Sequence, residues 1–325
     1  MVSEVVMGGN PPKKRYLQQM GIISLALAGL ITGCGSLLQS SAEEGPDTTI
    51  PASTESASNP SPPIYETISF PQATLHLVTI PNPEAYPVRI ALAEELTLVT
   101  DFEVQPNCLA QDCALAAINA GFFDPNNSLT TSYVTIDGAL VADPCQNEQL
   151  MDNPDLAPYM AQILNRSEFR RYDCEEGYRY DITSHQSPPP SGCTVVDAVG
   201  AGPQLLPEDT AEIEGFVDTT VSPVRDALGS QAANARSAIG IKADGSIVLA
   251  MVAQKPGASP SGLSLPGLAD VLAEQGVTQA LNLDGGSSST LLYEGAVHYG
   301  RLNQEGEPIQ RRVKSILWVG SEFSE

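Results

Sequence analysis

The segment around Asp284 has the residue types and the spacing of a reactive site. Asp284 follows a short strand-like run, residues 280–283, and precedes Gly285, Gly286 and a series of hydroxyl residues that starts at Ser287. A carboxylate at the end of a buried strand can act as a base, a nucleophile or a ligand. The two glycines allow close backbone approach to a bound molecule, and successive N–H groups can form a nest for an anion. The structural alternative is a glycine-rich turn capped by Asp284.

Asn119 ends a second buried run. It follows the apolar residues 114–118 and precedes a Gly-Phe-Phe turn that leads to Asp124. A polar side chain at the end of a buried strand is well placed to contact a ligand, and Asp124 adds an acid nearby. The alternative is a tight turn with a packed pair of phenylalanines.

Arg236 leads into a third strand-like run and is one of few cations in the chain. The sequence of 325 residues has 16 Lys and Arg against 39 Asp and Glu, so Arg236 stands out. A guanidinium suits bidentate contact with a phosphate or a carboxylate. The alternative is a surface ion pair. The sequence has no GxSxG elbow, Walker loop or HExxH motif, which leaves Asp284, Arg236 and Asn119 as the catalytic candidates.

Taken together, these segments resemble the phosphodiester glycosidase family. Members of that family carry sequences similar to NGGFF, a Gly-Pro pair, PRTAIG and LDGGGSSTL, in that order. The corresponding segments here are residues 119–123 (NAGFF), 202–203 (GP), 235–240 (ARSAIG) and 283–291 (LDGGSSSTL). The resemblance extends over about residues 75–320. The departures are small residues beside the polar candidates: Ala120, Ala235, Ser237 and Ser287 stand where Gly, Pro, Thr and Gly are more usual.

The resemblance implies cleavage of a sugar from the phosphate at its anomeric carbon, in a carbohydrate phosphodiester. Asp284 would activate water or attack the anomeric carbon, and Asn119 would orient the sugar or the phosphate. Arg236 and the Gly285 and Gly286 amides would hold the phosphate and stabilise the departing negative charge. Further candidates for substrate binding are Ser287, whose side chain bears on substrate preference, and Asp124.

Two other functions fit the same residues. The first is a non-catalytic surface module that binds glycans or a partner protein and keeps a polar pocket without turnover. The second is a phosphodiesterase that cleaves the other P–O bond. The co-occurrence of Asp284, Arg236 and Asn119 favours an enzyme, because a binding module need not keep all three.

The elements that would position these residues are mostly short strands. Hairpins are predicted over residues 133–141, 237–252 and 289–298, and the strongest helix over residues 265–275. Strands outnumber helices and do not alternate regularly with them. We therefore predict a single α+β (mixed α/β) domain over residues 64–325, with a mixed, hairpin-rich β-sheet and few helices.

Residues 143–193 do not show the pattern of short strands and turns that is predicted on either side of them. They contain three of the cysteines, a stretch rich in Tyr, Arg and Glu, and a run of three prolines. We interpret the segment as an insertion, partly helical over residues 158–169.

The N-terminal region is typical of an exported lipoprotein. Three basic residues, Lys13, Lys14 and Arg15, precede an apolar run over residues 20–31 that ends shortly before Cys34. The pattern predicts a signal peptide over residues 1–33 and lipidation of Cys34, with an ordinary cleaved signal or an uncleaved anchor as alternatives. A Ser/Thr/Pro-rich stretch, residues 34–63, predicts a disordered stalk. The expected location is the cell membrane or the outer membrane, facing the periplasm or the exterior.

The net charge limits which partners the protein can bind, and the cysteines bear on the redox state of its compartment. A net charge of −23 argues against nucleic acid as a partner and against a membrane contact other than the lipid anchor. Outside the cytoplasm, Cys108 and Cys113 are close enough to form a disulfide, and two of the other three cysteines can pair, leaving one free thiol. No cofactor is required by any motif and no metal site is predicted. A structural Ca²⁺ is compatible with so many acids, although no loop pattern demands it.

Overall fold

The computed structural model describes residues 60–320. The predicted signal peptide, the lipidation site Cys34 and most of the predicted stalk lie outside these residues. Within the described range, no helix is long and apolar enough to cross a membrane.

The described chain is built mainly of strands. They are β1 (Ile64–Ser69), β2 (Ala73–Ile80), β3 (Val88–Thr97), β4 (Glu103–Gln105), β5 (Cys108–Leu109), β6 (Ala116–Asn119), β7 (Val134–Ile136), β8 (Ala139–Ala142), β9 (Ser167–Cys174), β10 (Gly177–Ser184), β11 (Cys193–Gly200), β12 (Gln204–Leu206), β13 (Val217–Asp218), β14 (Arg225–Asp226), β15 (Arg236–Lys242), β16 (Ile247–Gln254), β17 (Val277–Asn282), β18 (Thr290–Tyr293), β19 (Ala296–Tyr299) and β20 (Val313–Val319). The α-helices are α1 (Ala110–Cys113), α2 (Glu148–Met151), α3 (Met160–Ile163) and α4 (Leu265–Glu274).

A six-stranded sheet in the order β1-β2-β16-β15-β17-β12 lies at the centre of the fold. Strand β16 is apolar along nearly its whole length because both faces of this sheet are buried. Its residues Ile247, Leu249 and Met251 face a core shared with the other sheets, and the residues between them face a second core. Helix α4 covers that second core with Leu265, Leu268 and Leu272.

A second sheet, in the order β19-β18-β6-β20-β3, packs against the central one. Strand β20 also alternates between two cores. Its Leu317 and Val319 face the shared core, and Ile316 and Trp318 face a third cluster under Phe102. Strand β6 pairs with both β18 and β20 and carries Asn119 at its end. Because β20 is buried on both faces, the register of its pairing with β6 is fixed.

The third sheet has the order β10-β9-β11-β7-β8. Residues 143–193, interpreted from the sequence as an insertion, contain α2, α3 and the hairpin of β9 and β10. The helix expected over residues 158–169 is shorter than predicted, since β9 begins at Ser167. Phe169 of β9 is buried in the shared core, and pairing with β11 decides its conformation.

The α+β class is confirmed, with strands distributed over several sheets and every named strand pair in residues 60–320 antiparallel. Helix α4 covers almost all of the residues predicted to be helical, 265–275. At its N-terminus the Ser264 side chain accepts a hydrogen bond from the Gly267 amide. Both Asp137 and Gly138 have positive φ, as a tight two-residue hairpin turn requires.

The cysteine pairing agrees with the prediction. Disulfides join Cys108 to Cys113 and Cys174 to Cys193, and Cys145 is free and exposed. The second disulfide connects opposed residues of β9 and β11, so it closes one end of the third sheet.

A cluster of aromatic and histidine rings joins the edge strands of the first two sheets. The Tyr65 hydroxyl lies 2.7 Å from Nδ1 of His76 and 3.3 Å from Nε2 of His298. The two imidazoles stack with centroids 4.4 Å apart. Burial, reinforced by the neighbouring His298, lowers the pKa of His76 to about 4. A proton on either ring would therefore place a cation against the other ring, away from water.

This cluster predicts an acid-sensitive contribution to stability. Between pH 6.5 and 4 the unfolded state binds a proton at His76 that the folded state does not, so stability falls as the pH is lowered through that window. We expect the wild-type chain to lose about 1 kcal/mol at this site between pH 7.5 and pH 5, since contact with solvent screens part of the cost, and His76→Phe to lose correspondingly less. Urea unfolding of both proteins at the two pH values measures the difference. An identical pH dependence in the variant would contradict the assignment.

Candidate active site

The three polar candidates meet at one end of the two packed sheets. A pocket of about 370 Å³ opens there. It is lined by Phe122, Phe123, Ala227, Leu228, Asn234, Arg236, Asn282, Asp284, Gly285, Gly286, Ser287, Ser288, Arg301 and Arg311. Of the predicted site residues, Asp284, Arg236, Gly285, Gly286 and Ser287 line this pocket. Asn119 and Asp124 do not.

Asn119 lies in the interior, directly behind Asp284. Its side-chain Nδ2 donates a hydrogen bond of 2.5 Å to the backbone oxygen of Asp284. Its Oδ1 accepts from the Ser237 hydroxyl at 2.8 Å and from the Thr290 amide at 3.1 Å. With 1% of its surface exposed, Asn119 holds the two ends of the glycine-rich loop against β15. The geometry makes it a positioning residue that acts through Asp284.

Asp284 lies two residues after the end of β17 and is largely enclosed by protein. Its amide donates to the Ala120 oxygen at 2.9 Å, which fixes the backbone beside Asn119. Burial raises the pKa of Asp284 to about 6, although the Ser288 side chain, the Arg311 charge and the Gly285 amide each favour the ionised form. The carboxylate is therefore mostly charged at neutral pH and close to the range in which it can accept a proton.

The glycine-rich loop is closely packed on β15. The Gly286 amide donates to the Ala235 oxygen at 2.8 Å, and Gly286 has a φ of 62°. A β-carbon on Gly285 would lie 3.2 Å from the same oxygen. The Gly285 amide hydrogen-bonds to the Asp284 carboxylate. Both predicted nest amides thus already have partners within the protein, and the loop offers Ser287 as a partly exposed group at the pocket.

Arg236 is 4% exposed and spans the wall of the pocket. Its guanidinium donates hydrogen bonds to the backbone oxygens of Leu228, Gly229, Ala232 and Leu263, at 2.8–3.3 Å. Four of its five N–H groups are used in this way. Burial lowers the pKa of Arg236, and the nearby Asp226 carboxylate acts in the opposite direction. The side chain fixes residues 228–232 beside the pocket, and one N–H group on Nη1 has no hydrogen-bond partner within residues 60–320.

Arg301 and Arg311 also line the pocket and were not selected from the sequence. Both belong to the connection between β19 and β20, which has no regular hydrophobic period. Arg301 is exposed and Arg311 is half-buried. The Arg311 guanidinium lies 5.6 Å from the centre of the Phe123 ring. The available signal was that three of the 16 basic residues fall between positions 301 and 312 of this acidic chain.

Two asparagines complete the polar lining. Asn234 Oδ1 accepts a hydrogen bond from the Ala235 amide at 2.9 Å. Asn282 Nδ2 donates to the Gly202 oxygen at 2.8 Å, and its Oδ1 has no hydrogen-bond partner within residues 60–320. An unpaired acceptor beside the pocket is suited to a donor group on a ligand.

Asp124 lies away from the pocket. Its Oδ1 accepts hydrogen bonds from the Asn126 amide and side chain, at 2.8 and 3.0 Å, so it stabilises the turn after Phe123. In residues 60–320 no group of three or more His, Cys, Asp or Glu side chains is arranged to hold a metal ion.

Comparison with known proteins identifies the family. The model of the phosphodiester glycosidase family matches residues 112–320, more than half of the chain. A comparison by sequence with curated proteins finds no match.

Two solved structures share the fold. One is the catalytic domain of zebrafish N-acetylglucosamine-1-phosphodiester alpha-N-acetylglucosaminidase, auto-inhibited by its pro-peptide. It has a TM-score of 0.55 and 18% identity over 80% of this chain and 82% of that chain. The other is a hypothetical protein from Synechocystis, with a TM-score of 0.51 and 19% identity over 79% of this chain and 61% of that chain. Family membership supports a glycosidase-type hydrolase. This chain belongs to the phosphodiester glycosidase family.

Proposed function

We propose that the protein hydrolyses the bond between the anomeric carbon of a sugar and the phosphate of a glycan phosphodiester. The observation that carries the proposal is the placement of Asp284, a carboxylate with a pKa of about 6, in the same pocket as three arginines. Cleavage of this bond develops positive charge on the sugar ring and negative charge on the leaving phosphate. A pocket that contains a carboxylate and three guanidinium groups supplies a group of opposite sign for each developing charge.

Asp284 acts in this scheme as a general base. It removes a proton from a water molecule while the water oxygen bonds to the anomeric carbon. The carbon–oxygen bond to phosphate breaks, and its electron pair leaves with the phosphate monoester. A covalent intermediate on Asp284 would need a second base to activate water, and Asp284 is the one carboxylate that lines the pocket in the described residues. Direct displacement by water is therefore favoured over nucleophilic attack by Asp284.

The phosphate leaving group explains why no second carboxylate is required. A phosphate monoester is a weaker base than an alkoxide and leaves without strong help from a general acid. Arg236 forms the wall of the pocket through its contacts to residues 228–232, and its remaining N–H is a further donor that a bound anion could use. Asn119 holds Asp284 in place from behind, and Asn282 Oδ1 is suited to accept a hydrogen bond from a sugar hydroxyl.

The test is turnover of a panel of benzyl sugar-1-phosphodiesters that differ in the sugar. Asp284→Asn should lower kcat/KM by about 10²–10⁴-fold, because the amide cannot accept the proton. In the wild-type enzyme kcat/KM should rise with pH through about 6 and then level off. Asp270→Asn, which changes an exposed acid on α4, is the matched control and should keep wild-type activity.

The products separate the proposal from the other functions. A free sugar and benzyl phosphate agree with it, whereas sugar 1-phosphate and benzyl alcohol would indicate a phosphodiesterase. Saturable binding with no product would indicate a glycan-binding module. Wild-type turnover no faster than that of Asp284→Asn on every substrate would refute the assignment of Asp284.

We also propose that the protein is exported and tethered to a membrane by a lipid on Cys34. The basic residues 13–15, the apolar run before Cys34 and the two disulfides support this location, because disulfides persist in oxidising compartments. In fractionated bacterial cells, the wild-type chain should sediment with the membranes. Cys34→Ala should be recovered in the soluble fraction or retain its uncleaved N-terminus. Equal membrane recovery of wild-type and fully processed variant chains would exclude the lipid anchor.

A further inference from the structure

The guanidinium groups of Arg301 and Arg311 line the pocket and do not bind backbone oxygens or carboxylates of the described chain. Within the described range, neither Arg301 nor Arg311 forms a salt bridge or donates a hydrogen bond from its side chain. Arg179 and Arg312 also form no such contact in residues 60–320. Unlike them, Arg301 and Arg311 line the pocket. Arg236 differs from both, because backbone oxygens occupy four of its N–H groups.

The loop that carries them is held by its own backbone. The Ile309 amide donates to the Arg301 oxygen at 2.8 Å, and the Asn303 amide donates to the Glu307 oxygen at 2.8 Å. Leu302 forms a bridge with Pro308. The two arginines therefore project from a closed hairpin-like loop and not from a free segment, which lowers the entropy that ligand binding must overcome.

Both arginines lie close to Asp284 or to the glycine-rich loop that follows it. The charge of Arg311 reaches Asp284, since it favours the ionised carboxylate, and the Arg311 guanidinium lies beside the Phe123 ring. The Arg301 Nη1 lies 3.4 Å from the place that a β-carbon on Gly286 would take, so it lies over the glycine-rich loop. An anion bound by both guanidiniums would lie close to the Asp284 carboxylate, and the Arg311 charge would offset part of the repulsion between the two.

We propose that Arg301 and Arg311 form an anion clamp that binds the phosphate group of the substrate and binds the phosphate monoester product more tightly. The substrate part of this statement rests on the proposed function. A phosphodiester carries one negative charge, whereas a phosphate monoester carries nearly two above its second pKa of about 6. Two arginines attract the second form more strongly, so the product and inorganic phosphate compete with the substrate.

Titration calorimetry of the full chain with inorganic phosphate at low salt and pH 7.5 tests the clamp without any need for turnover. The wild-type chain should bind one phosphate. Arg301→Gln and Arg311→Gln should each weaken binding by about tenfold or more, as expected when charge-assisted hydrogen bonds are lost. Arg312→Gln is the matched control, because Arg312 is an exposed neighbour of Arg311 that does not line the pocket. Its affinity should equal that of the wild type.

Three results of the calorimetry would overturn the clamp. They are no phosphate binding by the wild-type chain at millimolar concentration, wild-type affinity in both pocket variants, and an equal loss of affinity in Arg312→Gln. Far-ultraviolet circular dichroism of each variant verifies that it is folded. Turnover is measured separately: phosphate binding that follows the prediction without hydrolysis would refute the proposed function and leave the clamp standing. Hydrolysis that neither phosphate nor the two variants affect would refute the clamp alone.

Discussion

The side chain of Asn119 makes three hydrogen bonds in the interior, each to a different part of the chain. It donates to the backbone oxygen of Asp284 and accepts from Ser237 and from the Thr290 amide. A primary amide can do this because it carries donors and an acceptor with two lone pairs in one plane. Neither a carboxylate nor an apolar side chain of similar size would satisfy all three partners. The position of Asp284 at the pocket therefore depends on a residue that never contacts the ligand.

The three arginines of the pocket differ in how many of their N–H groups are bound by the protein. Arg236 is turned into the protein and gives most of its donors to backbone oxygens, so it shapes the wall. The side chains of Arg301 and Arg311 form no hydrogen bond or salt bridge within residues 60–320, which leaves their donors available for the proposed anion. Burial alone would raise the pKa of Asp284, and Arg311 moderates that rise. The same carboxylate is thus kept ionised at neutral pH while remaining basic enough to accept a proton from water.

Local chemistry made much of this site predictable from the sequence. Asp284 and Asn119 each stand between a buried strand and a glycine turn, and turns such as Asp137-Gly138 require the positive φ that they adopt. The orientation of each side chain was not predictable. Asn119 points inward because Ser237 and Thr290, more than a hundred residues away in sequence, supply its partners. Distant partners also decide the start of β9. Its first residues were predicted to be helical, but they pair with β11 and form a strand.

The contribution of Arg301 and Arg311 to the pocket was a part of the site that the sequence did not predict. Arg301 and Arg311 lie in an irregular connection with no motif. It joins β19 to β20, which are separated in their sheet by β18 and β6, and it lines the same pocket as Asp284. Arg236, which a motif did select, has most of its donors bound by oxygens from residues 228–232. A pattern of residue types can indicate that a cation is needed near an anionic substrate. Which cation remains free for the substrate is decided by the backbone groups around it.

The central claim is that water attacks the anomeric carbon and not the phosphorus atom. Hydrolysis of a sugar-1-phosphodiester in ¹⁸O-labelled water tests this directly, because oxygens on phosphorus exchange slowly with solvent. Phosphorus nuclear magnetic resonance of the released phosphate monoester should detect no ¹⁸O, since the new oxygen enters the sugar. Incorporation of ¹⁸O into the phosphate product would place the attack at phosphorus and contradict the role of Asp284 at the anomeric carbon.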